Sequence, residues 1–103
     1  MRFMYYVKNV KLTDTVRALL NRQVARLGRL LPRRRGEPVI DIELGRDGRA
    51  TKTDAYTFKS EIDLPRETIR VTTRGRSVTE AMRDGFRTLT ERLSSRRKGG
   101  RQV

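Results

Sequence analysis

Tyr56-Thr57-Phe58-Lys59-Ser60-Glu61-Ile62-Asp63-Leu64, then Pro65-Arg66-Glu67, then Thr68-Ile69-Arg70-Val71-Thr72-Thr73, is the stretch on which the fold turns. Tyr56, Phe58, Ser60, Ile62 and Leu64 fall on alternate positions, which is the period of a strand with one buried face. Ile69, Val71 and Thr73 continue the pattern in a second strand. Pro65-Arg66-Glu67 is short enough for a hairpin connection, although it is not a preferred Asn-Gly turn. Two half-buried strands joined this way predict an antiparallel sheet with one wet face and one face that needs a cover.

Upstream, Val39 to Leu44 alternates in the same manner, with Ile40, Ile42 and Leu44 on one face and Asp41 and Glu43 on the other. Gly45 to Asp54 (GRDGRATKTD) has two glycines and no apolar anchor larger than alanine, so it reads as a loop. Arg2 to Val7 (RFMYYV) is rich in aromatic and β-branched types and reads as a first strand. Between these strands, Val16, Leu20, Val24, Leu27 and Leu31 recur at spacings of 4, 4, 3 and 4, one face of a helix. Thr13 offers its N-cap hydroxyl and Asp14 an acid for its first turn. Pro32, Arg33 to Arg35, Gly36 and Pro38 end it.

Downstream, Arg74-Gly75-Arg76 closes the sheet, and Ser77-Val78-Thr79-Glu80 is a capping box that opens a second helix. Val78, Met82, Phe86, Leu89 and Leu93 form its apolar face. Gly85 costs about 1 kcal/mol against alanine in a helix interior, which is explained if it lets this helix pack closely on the first. The order is therefore β-α-β-β-β-α, an α+β domain with two helices on one face of a four-stranded sheet. The expected division is a folded domain over residues 1–93 and a basic, flexible tail over 94–103, where SSRRKGGRQV offers nothing to a core.

The chain has 103 residues, 35% of them hydrophobic, enough for one modest core. No run approaches the ~18 apolar residues of a membrane span, and the polar turn after residue 7 argues against a secretory signal. The reading is a cytoplasmic protein with no membrane partner. With no cysteine, disulfides and thiolate metal sites are excluded; with no histidine, the usual general base and the commonest metal ligand are missing. Asp41 and Glu43, with Asp63 as a possible neighbour, read as a solvated sheet surface rather than a catalytic pair or a metal site. No cofactor, metal, catalytic residue or small-molecule substrate is expected.

The net charge of +13 instead points to a polyanion. It is segregated: residues 1–36 hold ten basic residues and one acid, residues 37–63 four and seven, residues 64–103 eleven and four. Arg22, Arg26, Arg29 and Arg33 recur at spacings of 4, 3 and 4 and form a stripe nearly opposite the apolar face of the first helix. Like charges at these spacings repel, and no acid on that side relieves them. A phosphate backbone explains such a stripe better than solubility, which needs no single-sign pattern. On the second helix, Arg83 and Arg87 are spaced i, i+4, followed by Arg92 and the Arg96-Arg97-Lys98 cluster. Asp84 and Glu91 interrupt this series, so salt bridges within the helix compete with phosphate contact. Twenty of the 25 basic residues are arginine, whose planar fork suits phosphate. Tyr56 and Phe58 share a face with Ile62 and belong to the core; at least one of Tyr5 and Tyr6 points away from the helices, which does not make a base-stacking platform.

The run Asn9-Val10-Lys11-Leu12-Thr13-Asp14, then Val16-Arg17 and a basic amphipathic helix, followed by three strands and Gly75 before a last helix, resembles the hibernation-promoting factor and ribosome-associated inhibitor family. The resemblance extends from Met1 to about Lys98. It is most specific in Val10-x-Leu12-Thr13 and in Gly75, Ala81, Leu89 and Leu93. The family's Asp-Met-Tyr-Ala-Ala-Ile-Asp stretch stands here as Ser77-Val78-Thr79-Glu80-Ala81-Met82-Arg83, the pattern of a divergent member.

The resemblance implies binding to the small ribosomal subunit in the channel of mRNA and of A- and P-site tRNA, with inhibition by occupancy. It implies rRNA contact by Arg17 and Arg26, with Arg22 and Arg29 beside them, and by Arg92, Arg96, Arg97 and Lys98. The chain's length resembles the short class, without the domain that pairs ribosomes in long members; the residues leave its oligomeric state open. Two other readings remain. One is a general binder of double-stranded or structured RNA, although the last helix opens on Ser77-Val78-Thr79-Glu80 rather than a basic cluster. The other is a ribosome-dependent mRNA endonuclease, for which Tyr5, Tyr6 and Tyr56 are the only tyrosines.

Overall fold

Alternation along the strands and 3.6-residue spacing along the helices give two layers. The computed structural model describes residues 2–31, 38–47, 55–64 and 66–100, the last five as backbone. The elements are β1 (Arg2–Lys8), α1 (Asp14–Gly28), β2 (Val39–Arg46), β3 (Tyr56–Asp63), β4 (Thr68–Gly75) and α2 (Val78–Gly100), in the expected order. The sheet runs β1-β2-β3-β4. β1 and β2 are parallel, joined through α1, and the other two pairings are antiparallel. The Leu64 amide donates to the Glu67 carbonyl at 2.8 Å and closes the β3–β4 turn.

One face of this sheet is dry. Ile40, Ile42, Leu44, Phe58, Ile62, Ile69 and Val71 form a single buried cluster with Val16, Leu20, Val24, Leu27 and Leu31, and with Ala81, Met82, Phe86, Leu89 and Leu93. Phe58 is buried and packs on Phe86, ring centroids 5.1 Å apart, while Tyr56 is partly buried against the same cluster. Both aromatics thus belong to the core, as their alternation required. Tyr6 falls on the open face beside Glu43 and Lys59, whereas Tyr5 faces the helix side at the sheet edge and stacks on Phe3.

The helix starts follow their caps. Thr13 accepts from the Val16 amide at 3.2 Å, and Ser77 accepts from the Glu80 amide at 3.1 Å, the serine half of the capping box. The ends differ from expectation. α1 stops at Gly28, not at Leu31: the amides of Leu30 and Leu31 turn back to the Leu27 and Gly28 carbonyls in tighter i→i−3 bonds. Leu31 is still buried, so the apolar series outlasts the helix. α2 runs on through Gly100, so the backbone of residues 94–100 belongs to the helix.

Gly85 also differs from expectation. A Cβ at this position would lie 2.1 Å from Phe58 Cδ1, so the glycine admits the sheet's phenylalanine rather than α1. Gly75 serves the other end of the contact. A Cβ there would meet the Ala81 amide at 2.7 Å, where β4 approaches the first turn of α2 and Thr73 Oγ1 donates to the Ala81 carbonyl.

Candidate nucleic-acid interface

α1 and α2 pack side by side, and a groove of about 440 Å³ runs between them. Arg26 and Arg29 line it from α1 and its C-cap; Arg83 and Arg87 line it from α2. All four side chains are exposed. The last turn of α1 fixes the backbone of Arg29, whose amide donates to the Arg26 carbonyl at 3.2 Å. Phe86 and Leu30 form part of the groove lining, and Gln23 and Thr90 add polar groups. Among the described residues, Glu91 is the one carboxylate in this lining.

Four guanidiniums against one carboxylate make a site that favours a multivalent anion. Like-charged neighbours on one helix cost about 0.2–0.5 kcal/mol per pair, a cost that a bound phosphate reverses. Arg87 Nη2 does contact Asp84 Oδ1 at 3.2 Å, as the acid interruptions on this helix suggested. Both partners are solvent-exposed, so the pair is weak and leaves Arg87 able to exchange its carboxylate for phosphate.

The other candidate arginines separate by helix geometry. Arg22 is exposed on the stripe but does not line the groove. Arg17 lies nine residues before Arg26, so it sits about 180° around α1 from it. It is exposed on the opposite flank and does not line the groove. Arg92 lies on the β4 side of α2, and its Nη1 donates to the Arg70 carbonyl at 2.5 Å, which ties it to the sheet edge. Arg33 lies outside the described residues. So do the side chains of Arg96, Arg97 and Lys98, whose backbone belongs to α2.

The sequence did not single out Gln23 and Thr90. Each sits three residues before or after a groove arginine (Arg26 and Arg87), and that spacing is the only local sign of their place. Leu19, seven residues before Arg26 and so on the same flank of α1, is buried although it lies outside the apolar series read from the sequence.

On the open face, Asp41, Glu61 and Asp63 approach one another, with ligand atoms within 4.8 Å. Two of the three already have partners: Arg70 Nε donates to Glu61 Oε1 at 2.7 Å, and Thr68 Oγ1 donates to Asp63 Oδ1 at 3.0 Å. They form a cross-strand network on a wet sheet surface.

A four-stranded sheet with one parallel edge pair, covered on one side by two helices, is a fold that this chain shares with solved structures. The N-terminal domain of Protein Y from Thermus thermophilus superposes with a TM-score of 0.70 at 20% identity, over 90% of this chain and 96% of that one. A ribosomal subunit interface protein from Coxiella burnetii superposes with a TM-score of 0.70 at 18% identity, over 95% of this chain and 99% of that one. No family model and no curated protein matches the sequence. At these identities what is shared is the fold, over nearly the full length of both domains.

Proposed function

We propose that this domain binds the small ribosomal subunit through the α1–α2 face and inhibits translation by occupying the path of mRNA and of A- and P-site tRNA. The observation that carries this reading is the groove: Arg26, Arg29, Arg83 and Arg87, from two helices distant in sequence, converge on one exposed surface of a fold shared with ribosome-interface proteins. A two-helix face that gathers four guanidiniums suits folded rRNA, whose backbone is fixed in space. In this reading the domain is a binding factor that works by occupancy and needs no cofactor. It acts where translating ribosomes are, in the cytoplasm.

The test is co-sedimentation with vacant ribosomes and with separated subunits, with and without mRNA and initiator tRNA. Retention on the small subunit that mRNA and tRNA abolish is the expected result. Equal binding to any RNA, or indifference to the competitors, overturns the channel reading and leaves a general binder of structured RNA. Intact mRNA after incubation with programmed ribosomes is expected as well; a defined cut would identify a nuclease.

A further inference from the structure

The sheet's open face is electrically divided. The Asp41–Glu61–Asp63 network occupies one end. At the other, a shallow basin of about 470 Å³ is floored by Gly45 and Thr57, paired across β2 and β3. Its low floor follows from these residues: Gly45 has no side chain, and a Cβ there would stand 3.0 Å from Thr57 Oγ1. Register places Lys8 of β1 beside Gly45 and Arg74 of β4 beside Thr57, one cation on each side of the floor. Lys59 stands one row away on the same face, between Glu43 and Thr72. Lys8, Lys59 and Arg74 are exposed and hold no ion pair or side-chain hydrogen bond among the described residues, in contrast to Arg70, Arg87 and Arg92.

We propose that this basin is a second phosphate-binding surface, which takes the backbone of an RNA segment on the side of the domain opposite the helix groove. Charge complementarity selects the occupant: Lys8, Arg46, Lys59 and Arg74 outnumber the carboxylates of Glu43 and Asp47 in the lining, three of these cations have no ion pair among the described residues, and the floor is low enough for a phosphate to reach the Thr57 and Thr72 hydroxyls. Tyr6, exposed in the row of Glu43 and Lys59, offers a ring face beside it for a base. The proposal rests on RNA as the partner but not on the groove, and it makes the domain two-sided, able to bridge two RNA segments.

The experiment uses the isotope-labelled full chain with Arg26→Glu and Arg29→Glu, which disables the groove, titrated with a ten-nucleotide oligouridine. Amide shifts at Gly45, Thr57, Lys59 and Arg74 are expected. Adding Lys59→Gln and Arg74→Gln is expected to remove them and to weaken the oligonucleotide about tenfold, the size of two exposed charge contacts. Glu43→Gln removes a repelling carboxylate from the basin lining, the one paired across from Lys59, and is expected to tighten binding, a direction that a merely structural role would not give. Shifts absent from the sheet, or an affinity unmoved by Lys59→Gln with Arg74→Gln, overturn the proposal. Small-subunit co-sedimentation of the two double variants separates the surfaces. If only the arginine reversals abolish binding and the sheet amides stay still, the groove stands without the basin; if only the glutamine pair weakens it, the basin stands without the groove.

Discussion

A methyl group at position 85 has nowhere to go. Helix propensity alone favours Gly85→Ala by about 1 kcal/mol, yet the new Cβ would stand 2.1 Å from Phe58 Cδ1. That ring is fully buried and held against Phe86, so it cannot step aside. Overpacking typically costs about 1–3 kcal/mol, and a contact this short belongs at the top of that range. Gly85→Ala is therefore expected to lower stability by about 2 kcal/mol net, seen as a lower urea midpoint at unchanged m; a stabilised variant would mean that α2 sits farther from the sheet. Ser60 has the opposite sign. Its hydroxyl is buried on the dry face with no hydrogen-bond partner among the described residues. Ser60→Ala is expected to raise stability by about 1 kcal/mol, because it deletes an unsatisfied polar group and opens little space. Sequence alternation placed both Phe58 and Ser60 on the core face, but only the packing of α2 on β3 reveals what each touches.

At the scale of elements, the order β-α-β-β-β-α was legible because each segment carries its own local signal: alternation at Val39–Leu44, 3- and 4-residue spacing from Val16 to Leu31, hydroxyl caps at Thr13 and Ser77. Helix ends were less legible, since the Val16–Leu31 series keeps its period after the backbone has tightened at Gly28. The site was half legible. The stripe on α1 follows from spacing within one helix, but its meeting with Arg83 and Arg87 depends on how two helices are rotated against each other, which no single-segment pattern encodes. The same rotation removes Arg17 and Arg92 from the groove. Arg26→Glu with Arg29→Glu is thus expected to leave thermal unfolding unchanged, since both side chains are exposed, while binding to the small subunit falls by several kcal/mol, about a hundredfold or more. Arg17→Glu, on the far flank, is expected to cost much less. Equal losses from both changes would show that the partner embraces α1 from both sides, and a melted double variant would show that the helix faces are misplaced.

For the whole molecule, the two charged surfaces lie on opposite layers, and salt dependence counts how many of their cations meet phosphate. Each neutralised phosphate contributes about −0.7 to −0.9 to the slope of log K against log salt concentration. The helix side offers Arg22, Arg26, Arg29, Arg83 and Arg87; the sheet side offers Lys8, Lys59 and Arg74. Engagement of the helices alone predicts a slope of about −3.5 to −4.5, and engagement of both layers about −5.5 to −7. Under the proposed binding in the channel, the steeper value is expected for the small ribosomal subunit, with rRNA on both sides of the domain, and the shallower value for an isolated RNA hairpin that reaches one face at a time. Lys59→Gln with Arg74→Gln should then bring the subunit slope down by about 1.5 and leave the hairpin slope as it was. A nearly flat response on both partners would mean that the +13 charge serves something other than phosphate, because an interface built from this many exposed cations cannot release counterions without showing it.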